Sequence, residues 1–158
     1  MTGRPVLIVD DDEDCVKLLR MALERSGIGG NRFSVARDGE EALAYLKGEG
    51  AFADRIAYPI PALVLLDLKM PRVDGFQVLR WIRKESPFWY LPVVVLTVSS
   101  LDSDIWKAYA AGANSFMVKG GGVNELTMQL KSVIEHWIRF AVAPGPSDVP
   151  PPPPTPPS

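Results

Sequence analysis

The sequence has only one cysteine and one histidine, and it lacks long hydrophobic runs. A single cysteine, Cys15, cannot form a disulfide within the chain, so a disulfide framework is excluded and a reducing compartment suits it. No run approaches the roughly 20 apolar residues of a membrane-spanning helix. The segment before Asp10 is too short for the apolar core of a signal peptide. We therefore expect a cytoplasmic protein that does not associate with membranes.

The sequence also lacks an excess of basic residues. Lysine and arginine total 17 against 19 aspartates and glutamates, which gives a net charge of −2. Nucleic-acid binding needs a clustered basic face, so we expect no nucleic-acid partner. At 158 residues, 47% of them hydrophobic, the chain is long enough for one domain with a substantial core.

Proline is concentrated near the carboxyl end. Nine of the 15 prolines lie between Pro144 and Pro157. Proline fixes φ and donates no backbone hydrogen bond, which predicts an extended, solvated segment. We therefore divide the chain into a globular domain at residues 1–141 and a proline-rich disordered tail at 142–158. Such a tail can also be a ligand for a domain with an aromatic groove, but composition favours simple disorder.

Before the tail, short apolar runs alternate with helical patterns. The runs are apolar on both faces and rich in branched residues, as is typical of buried parallel strands. Asp38 and Asp74 are good helix N-caps. We expect strands at 6–9, 32–36, 63–66, 93–96 and 116–118, and helices at 13–26, 39–47, 75–85, 102–111 and 125–140. Five such pairs predict an α/β protein whose doubly wound parallel sheet is covered by helices on both sides, with right-handed crossovers.

Polar residues follow four of the predicted strands, directly or within two residues: Asp10, Asp11, Asp67, Thr97 and Lys119. In open α/β sheets, ligands bind beyond the carboxyl ends of the strands. Any one of these residues alone is more often a helix cap or a solvated side chain. Their convergence at one edge of the sheet instead predicts a site.

The residue types at this edge indicate phosphate chemistry. Clustered carboxylates raise one another's pKa, and a hard cation such as Mg²⁺ relieves the repulsion. We expect Asp10, Asp11, Asp67 and the backbone carbonyl of Lys69 to bind Mg²⁺. Asp67 would also be the nucleophile, since carboxylates accept phosphoryl groups. The Lys119 ammonium would stabilise charge on the phosphoryl oxygens together with the metal, and the Thr97 hydroxyl would donate a hydrogen bond to one of them.

Four motifs stand in a fixed order along the chain: Asp10-Asp11, Asp67-Leu68-Lys69-Met70-Pro71 with Asp74-Gly75, Thr97-Val98-Ser99, and Gly112-Ala113 leading to Phe116 and Lys119. With these motifs, the chain from Val6 to about Phe140 resembles the receiver domain of two-component response regulators. The long connector before Pro61 is most similar to stand-alone receivers that serve phytochrome-type and other hybrid sensor kinases.

The resemblance implies a flavodoxin-like fold, (βα)5, with strand order 2-1-3-4-5. It implies that Asp67 accepts a phosphoryl group from a histidine of a sensor kinase. It also implies a switch pair, Thr97 and Phe116, in which a hydroxyl moves toward the phosphate and an aromatic side chain turns inward.

Two positions depart from the family pattern. Gly120 stands where the family usually has a proline after the lysine, often with a cis bond. Because a cis bond before a non-proline residue costs about 3 kcal/mol, we expect a trans or mobile connector and a less firmly placed Lys119. Val98 stands where alanine or glycine is common, and its branched side chain should narrow access to Asp67. We expect slow phosphotransfer and hydrolysis, which unchanged rates in Val98→Ala would contradict.

After the last predicted helix only the tail follows, so we expect no DNA-binding output domain. The output is then binding to a downstream protein or to a second copy of the chain. Aromatic side chains such as Trp106 in helix 102–111 cannot all fit in the core. We expect an exposed aromatic side chain, and a homodimer or partner interface, on the face formed by helix 4, strand 5 and helix 5. His136, placed by its spacing among core residues of the last helix, is a poor phosphodonor.

Two rival functions are consistent with the same residues. One is a phosphorylation-independent adaptor that keeps the receiver fold. The other is a Mg²⁺-dependent phosphohydrolase, for which aspartate-nucleophile enzymes generally need a second acid two residues after the nucleophile. That position is Lys69, so we expect a phosphoacceptor signalling protein with at most slow self-dephosphorylation rather than an enzyme.

Overall fold

The structure is a computed structural model that describes residues 4–25, 33–142 and 154. The strands are β1 (Val6–Val9), β2 (Phe33–Ala36), β3 (Leu63–Leu66), β4 (Val93–Thr97) and β5 (Ser115–Val118). The helices are α1 (Glu13–Arg25), α2 (Gly39–Lys47), α3 (Gly75–Lys84), α4 (Asp102–Ala110) and α5 (Val123–Ile134). The predicted ends at Ser26 and Arg32, and the proline-rich tail except Val142 and Pro154, lie outside the described residues.

All five strands form one parallel sheet in the order β2-β1-β3-β4-β5. The order reverses at β1 and β3, which pair with Val9 opposite Leu66. The flavodoxin-like topology is thereby confirmed. This reversal leaves a crevice at the carboxyl ends of the two strands, where α/β proteins bind ligands.

Successive residues of the strands face opposite sides of the sheet, so each strand contributes to two cores. Leu7 and Val9 pack in the core that includes residues of α2, α3 and α4. Val6 and Ile8 pack in the core that includes residues of α1 and α5. Helices therefore cover both faces, as the continuous apolar runs predict.

The connector between α2 and β3 is ordered by its own side chains. Gly48, at φ 70°, ends α2 in the left-handed conformation, and a short 3₁₀ turn follows at Gly50–Phe52. The aromatic rings of Tyr45, Phe52 and Tyr58 contact one another with centroids 5.1–6.0 Å apart. The connector is thus a packed loop rather than a free linker.

The last helix differs from the prediction. It is α-helical only to Ile134, and Glu135–Phe140 continue as a π-helical segment. Ala141 donates its N–H to the carbonyl of His136, five residues earlier, so the turn is wider than an α-turn. His136, expected among core residues, is exposed, because Trp137 and Ile138 continue the apolar stripe of Leu130 and Ile134 into the core and His136 lies off that stripe. In the described part of the chain, no helix is long and apolar enough to cross a membrane.

Candidate functional site

Three carboxylates meet at the carboxyl ends of β1 and β3. Asp67 donates its backbone N–H to the carbonyl of Val9 at 2.9 Å, so the parallel ladder places it beside Asp10. Asp10, Asp11 and Asp67 each offer an oxygen, and these oxygens lie within 4.8 Å of one another. Asp10 and Asp67 are buried, whereas Asp11 is exposed. The cluster therefore has a buried floor and one side open to solvent.

Lys119 brings a positive charge to this cluster. Its Nζ lies 2.7 Å from Oδ2 of Asp10 and 3.8 Å from Oδ2 of Asp67, and its side chain is 8% exposed. The lysine follows β5, and its backbone N–H donates to the carbonyl of Thr97 at 2.8 Å. The ladder between β4 and β5 thus delivers the ammonium to the site.

Burial and neighbouring charges determine the protonation of these groups. Burial raises the pKa of Asp67, Lys119 opposes that shift, and the charge of Asp10 adds to it. Burial alone would lower the pKa of Lys119, but its hydrogen bonds to Asp10 and Cys15 and the nearby carboxylates raise it above its ordinary value. Lys119 therefore stays charged.

The donor set suits a divalent cation. Three carboxylates against one ammonium leave two uncompensated negative charges when all are ionised, and every available ligand atom is a hard oxygen. The exposed position of Asp11 leaves room for water ligands. The residues present therefore fit Mg²⁺.

Thr97 and Phe116 lie on adjacent strands beside the cluster. Thr97 is fully buried, and its side chain lowers the pKa of the nearby Asp67 carboxyl. The Thr97 Oγ1 also accepts a long hydrogen bond, 3.4 Å, from the N–H of Ser99. Phe116 is half-buried against the core, and its N–H donates to the Tyr109 hydroxyl at 3.2 Å. The structure thus places one of the two residues at the carboxylates and the other toward α4.

The side chain of Lys69 pairs with Asp104 at 3.5 Å and is 60% exposed. Asp104 also accepts a 2.6 Å hydrogen bond from the hydroxyl of Ser99, which holds the pKa of Asp104 below its ordinary value of 3.8. The Asp104 carboxylate on α4 therefore contacts both Lys69, in the loop after Asp67, and Ser99, in the loop after Thr97.

Gly120 and Val98 are the two positions that depart from the family pattern. The described residues contain no cis peptide bond, so the bond between Lys119 and Gly120 is trans, as expected. Lys119 is nevertheless well held, as its contact with Asp10 indicates. Val98 is 75% exposed at the start of the loop after β4.

Sequence reasoning missed two contributors to the site. Cys15 contacts Lys119, and burial raises the pKa of its thiol to about 11, so it is a neutral neighbour. Gln129 of α5 hydrogen-bonds to the backbone on both sides of Lys119. Neither residue is signalled by a motif, because each acts through a contact that only the fold creates.

The sequence profile of the response regulator receiver domain matches residues 6–131. The chain belongs to the response regulator receiver family. This receiver therefore belongs to a family of signalling proteins whose members accept phosphoryl groups, rather than to a family of enzymes.

Several relatives resemble this receiver over nearly their whole length. The probable methanogenesis regulatory protein FilR2 of Methanothrix harundinacea is 36% identical over 143 residues, 90% of this chain and 88% of that protein. Response regulator Rcp1 of Synechocystis is 30% identical over 140 residues, 89% of this chain and 92% of that protein.

Solved structures show the same fold. The phosphorylated cyanobacterial phytochrome response regulator RcpA matches with a TM-score of 0.82 at 32% identity, covering 91% of this receiver and all of that chain. The Mn²⁺-bound form of Rcp1 matches with a TM-score of 0.79, covering 90% of this receiver and 99% of that chain. Receiver domains bind Mg²⁺ or Mn²⁺ at an acidic pocket, and this receiver has such a cluster of aspartates.

Proposed function

We propose that Asp67 accepts a phosphoryl group from the histidine of a sensor kinase, of the phytochrome type or a hybrid type. The observation that carries this proposal is the position of Lys119, whose buried ammonium lies between Asp10 and Asp67. A buried lysine in contact with two carboxylates is the arrangement needed to stabilise a dianionic group formed on one of them. The likeness to a phytochrome response regulator supports the kinase type.

Asp10, Asp11, Asp67 and the carbonyl of Lys69 would hold Mg²⁺. When bound, the ion neutralises charge on the phosphoryl oxygens and on the carboxylates. Without it, the raised pKa of Asp67 reflects the energetic cost of its charge in a buried position.

The transfer itself needs little covalent help from the protein. An Asp67 carboxylate oxygen forms a bond to phosphorus as the phosphorus–nitrogen bond of the donor histidine breaks. The bonding pair stays on that nitrogen, and the imidazole leaves as the neutral base because its other ring nitrogen already carries a proton. The Thr97 hydroxyl and the Lys119 ammonium face the phosphoryl oxygens. Each of these chain residues acts by position and charge, without gaining or losing a proton.

Self-dephosphorylation is slow in this proposal. The second acid that aspartate-nucleophile hydrolases use would stand at Lys69, whose side chain instead pairs with Asp104. In this proposal Val98 narrows the access of water to the aspartyl phosphate, whereas Lys119 stays in contact with Asp10 despite Gly120.

The signal leaves through Thr97, Phe116 and the face formed by α4, β5 and α5. Phe116 already contacts α4 through Tyr109, so a change at Thr97 on the adjacent strand has a short route to this face. Trp106 on α4 is 77% exposed, which suits a patch that binds a downstream protein or a second copy. The protein acts in the cytoplasm, and neither nucleic acid nor a membrane is a partner.

The rival function is a phosphorylation-independent adaptor. Gly120 and Val98 favour it, because both depart from the family pattern at the site. The buried contact between Lys119 and Asp10 favours the phosphoacceptor, because an adaptor has no need to bury that pair.

Intact mass after incubation with Mg²⁺ and acetyl phosphate tests the proposal. We expect one added phosphoryl group on the parent protein, lost when Mg²⁺ is removed by chelation. Asp67→Asn has nearly the same shape without a nucleophilic carboxylate, and we expect no addition to it.

A receiver of known activity, treated in parallel, serves as the positive control. If the control receiver gains a phosphoryl group and the parent protein does not, the result would favour the phosphorylation-independent adaptor. If Asp67→Asn gains a phosphoryl group to the same extent as the parent protein, the phosphoacceptor must be a residue other than Asp67.

A further inference from the structure

β5 is an edge strand, and Lys119 follows directly after it. On one side, the N–H of Lys119 donates to the carbonyl of Thr97 on β4. The backbone groups that point to the other side belong to its neighbours, the carbonyl of Val118 and the N–H of Gly120. No strand of the described residues pairs with that side of β5.

Gln129 of α5 occupies this free edge. Its Nε2 donates to the carbonyl of Val118 at 2.7 Å, and its Oε1 accepts from the N–H of Gly120 at 2.8 Å. In a parallel ladder, one residue of a strand donates to the carbonyl before its partner residue and accepts from the N–H after it. The side-chain amide of Gln129 makes both of these bonds around Lys119.

We infer that Gln129 is a positioning residue that replaces a sixth strand and holds Lys119 at the phosphoacceptor site. The inference rests on the proposed function of Asp67. A primary amide has both a donor and an acceptor in one plane, as a peptide group has, so glutamine can imitate a strand where lysine or glutamate cannot.

The adjoining backbone shows why this contact is needed. Gly120 lacks the proline ring that fixes φ, so the chain after Lys119 has more freedom to lose on folding. The N–H of Gly121 donates to Glu125 at 3.1 Å and extends the contact with α5 by one residue. Helix α5 thus restrains the segment that a proline would restrain covalently.

The test uses Gln129→Ala, with Ser132→Ala as the control on the same helix. Ser132 is exposed, one turn farther along α5, and takes no part in the contacts with β5. We expect the rate of Mg²⁺-dependent labelling by acetyl phosphate to fall about tenfold in Gln129→Ala, because loss of two hydrogen bonds allows Lys119 to move. We expect the rate for Ser132→Ala to match that of the parent.

A double-mutant cycle separates positioning from general stability. If Gln129 acts through Lys119, its substitution should have no further effect on the labelling rate in a Lys119→Ala background. Gln129→Glu keeps an acceptor for Gly120 but turns a carboxylate oxygen toward the Val118 carbonyl, so we expect a rate well below that of the parent. If substituting Gln129 reduces the labelling rate by the same factor in the parent and in the Lys119→Ala background, the inference would be overturned.

Amide hydrogen exchange provides a readout that does not depend on phosphorylation. We expect exchange of the Lys119 and Gly120 amides to quicken about tenfold in Gln129→Ala and to be unchanged in Ser132→Ala. If the parent protein is not phosphorylated, the proposed function would be overturned. Amide exchange at Lys119 and Gly120 would then test the positioning role of Gln129 without any phosphorylation. Unchanged exchange at Lys119 would overturn that role.

Discussion

Asp67 is positioned partly by residues that carry no charge. Its Oδ1 accepts a hydrogen bond from the N–H of Leu68 at 2.8 Å. Gly75, the first residue of α3, comes so close that a Cβ there would lie 2.3 Å from the Asp67 carbonyl oxygen. Its N–H also donates to the carbonyl of Leu68 at 3.0 Å. Glycine is needed here for close approach of two backbone segments rather than for an unusual φ.

Gly75→Ala should therefore disturb the nucleophile directly. We expect a loss of about 1–3 kcal/mol in the free energy of unfolding, because the added methyl group must displace backbone. We also expect slower labelling of Asp67. Chemical denaturation and intact-mass kinetics measure the two effects.

Gly121→Ala is the matched control, because a Cβ at Gly121 meets nothing within 4 Å. We expect it to stay within about 0.5 kcal/mol of the parent. Equal stability of Gly75→Ala and Gly121→Ala would contradict the steric argument.

At the scale of the element, α4 has the fewest buried residues of the five α-helices that the structure describes. Its buried residue is Ala108, and its N-cap, Leu101, makes no side-chain cap. The helix is held instead by contacts along its side: Asp104 with Ser99 and Lys69, Lys107 over the ring of Phe76 at 4.2 Å, and Tyr109 with the N–H of Phe116. An element held by a few polar contacts can move without disrupting a core, which suits the helix that carries the signal.

Asp104→Ala should loosen the first turn of α4. The 2.6 Å bond from Ser99 to a carboxylate is the stronger of the two contacts of Asp104, since the Lys69 pair is longer and exposed. We expect amide exchange at Ser99 and Leu101 to quicken about tenfold. The depressed pKa of Asp104 means that this contact is present above its ordinary pKa of 3.8 and is lost as pH falls through the lower folded value.

Asp102→Ala is the control for Asp104→Ala. Asp102 lies in the same first turn, so its removal changes the interaction with the helix dipole in the same way. It takes no part in the contacts with Ser99 or Lys69. Faster exchange in both variants would assign the effect to the dipole rather than to the contacts of Asp104.

At the scale of the whole molecule, apolar side chains remain exposed on α4, β5 and the last helix. Trp106, Tyr109 and Met128 are 77%, 47% and 73% exposed, and Phe140 at the end of the π-helical segment is 72% exposed. Single exposed apolar residues are ordinary, but a group of them on the predicted output face suits an interface.

Trp106→Ala should weaken self-association or binding to a downstream protein. We expect a loss of about tenfold in affinity, since a buried tryptophan is a frequent interface anchor. Sedimentation equilibrium on protein treated with Mg²⁺ and acetyl phosphate measures self-association. Ile56→Ala is the control, because Ile56 is 85% exposed in the connector before β3, away from this face. Identical behaviour of the two variants would argue against the face as an interface.

The order of elements and the acidic cluster could be predicted from the sequence. Short apolar runs followed by polar residues are local patterns, and the carboxyl ends of parallel strands meet at one edge whatever the helices do. Asp10, Asp67 and Lys119 were therefore predictable as neighbours, and the structure brings them together.

Other features were decided only by the tertiary structure. No sequence pattern predicted that the last helix ends in a π-helical segment, in which His136 is exposed while Trp137 and Ile138 pack against the core. The position of Gln129 beside Val118 and Gly120 depends on how α5 packs against the edge of the sheet. The contacts of Asp104 likewise depend on where α4 lies. Local patterns determine which elements form and where the strands end, whereas contacts between distant side chains exist only after the helices have packed on the sheet.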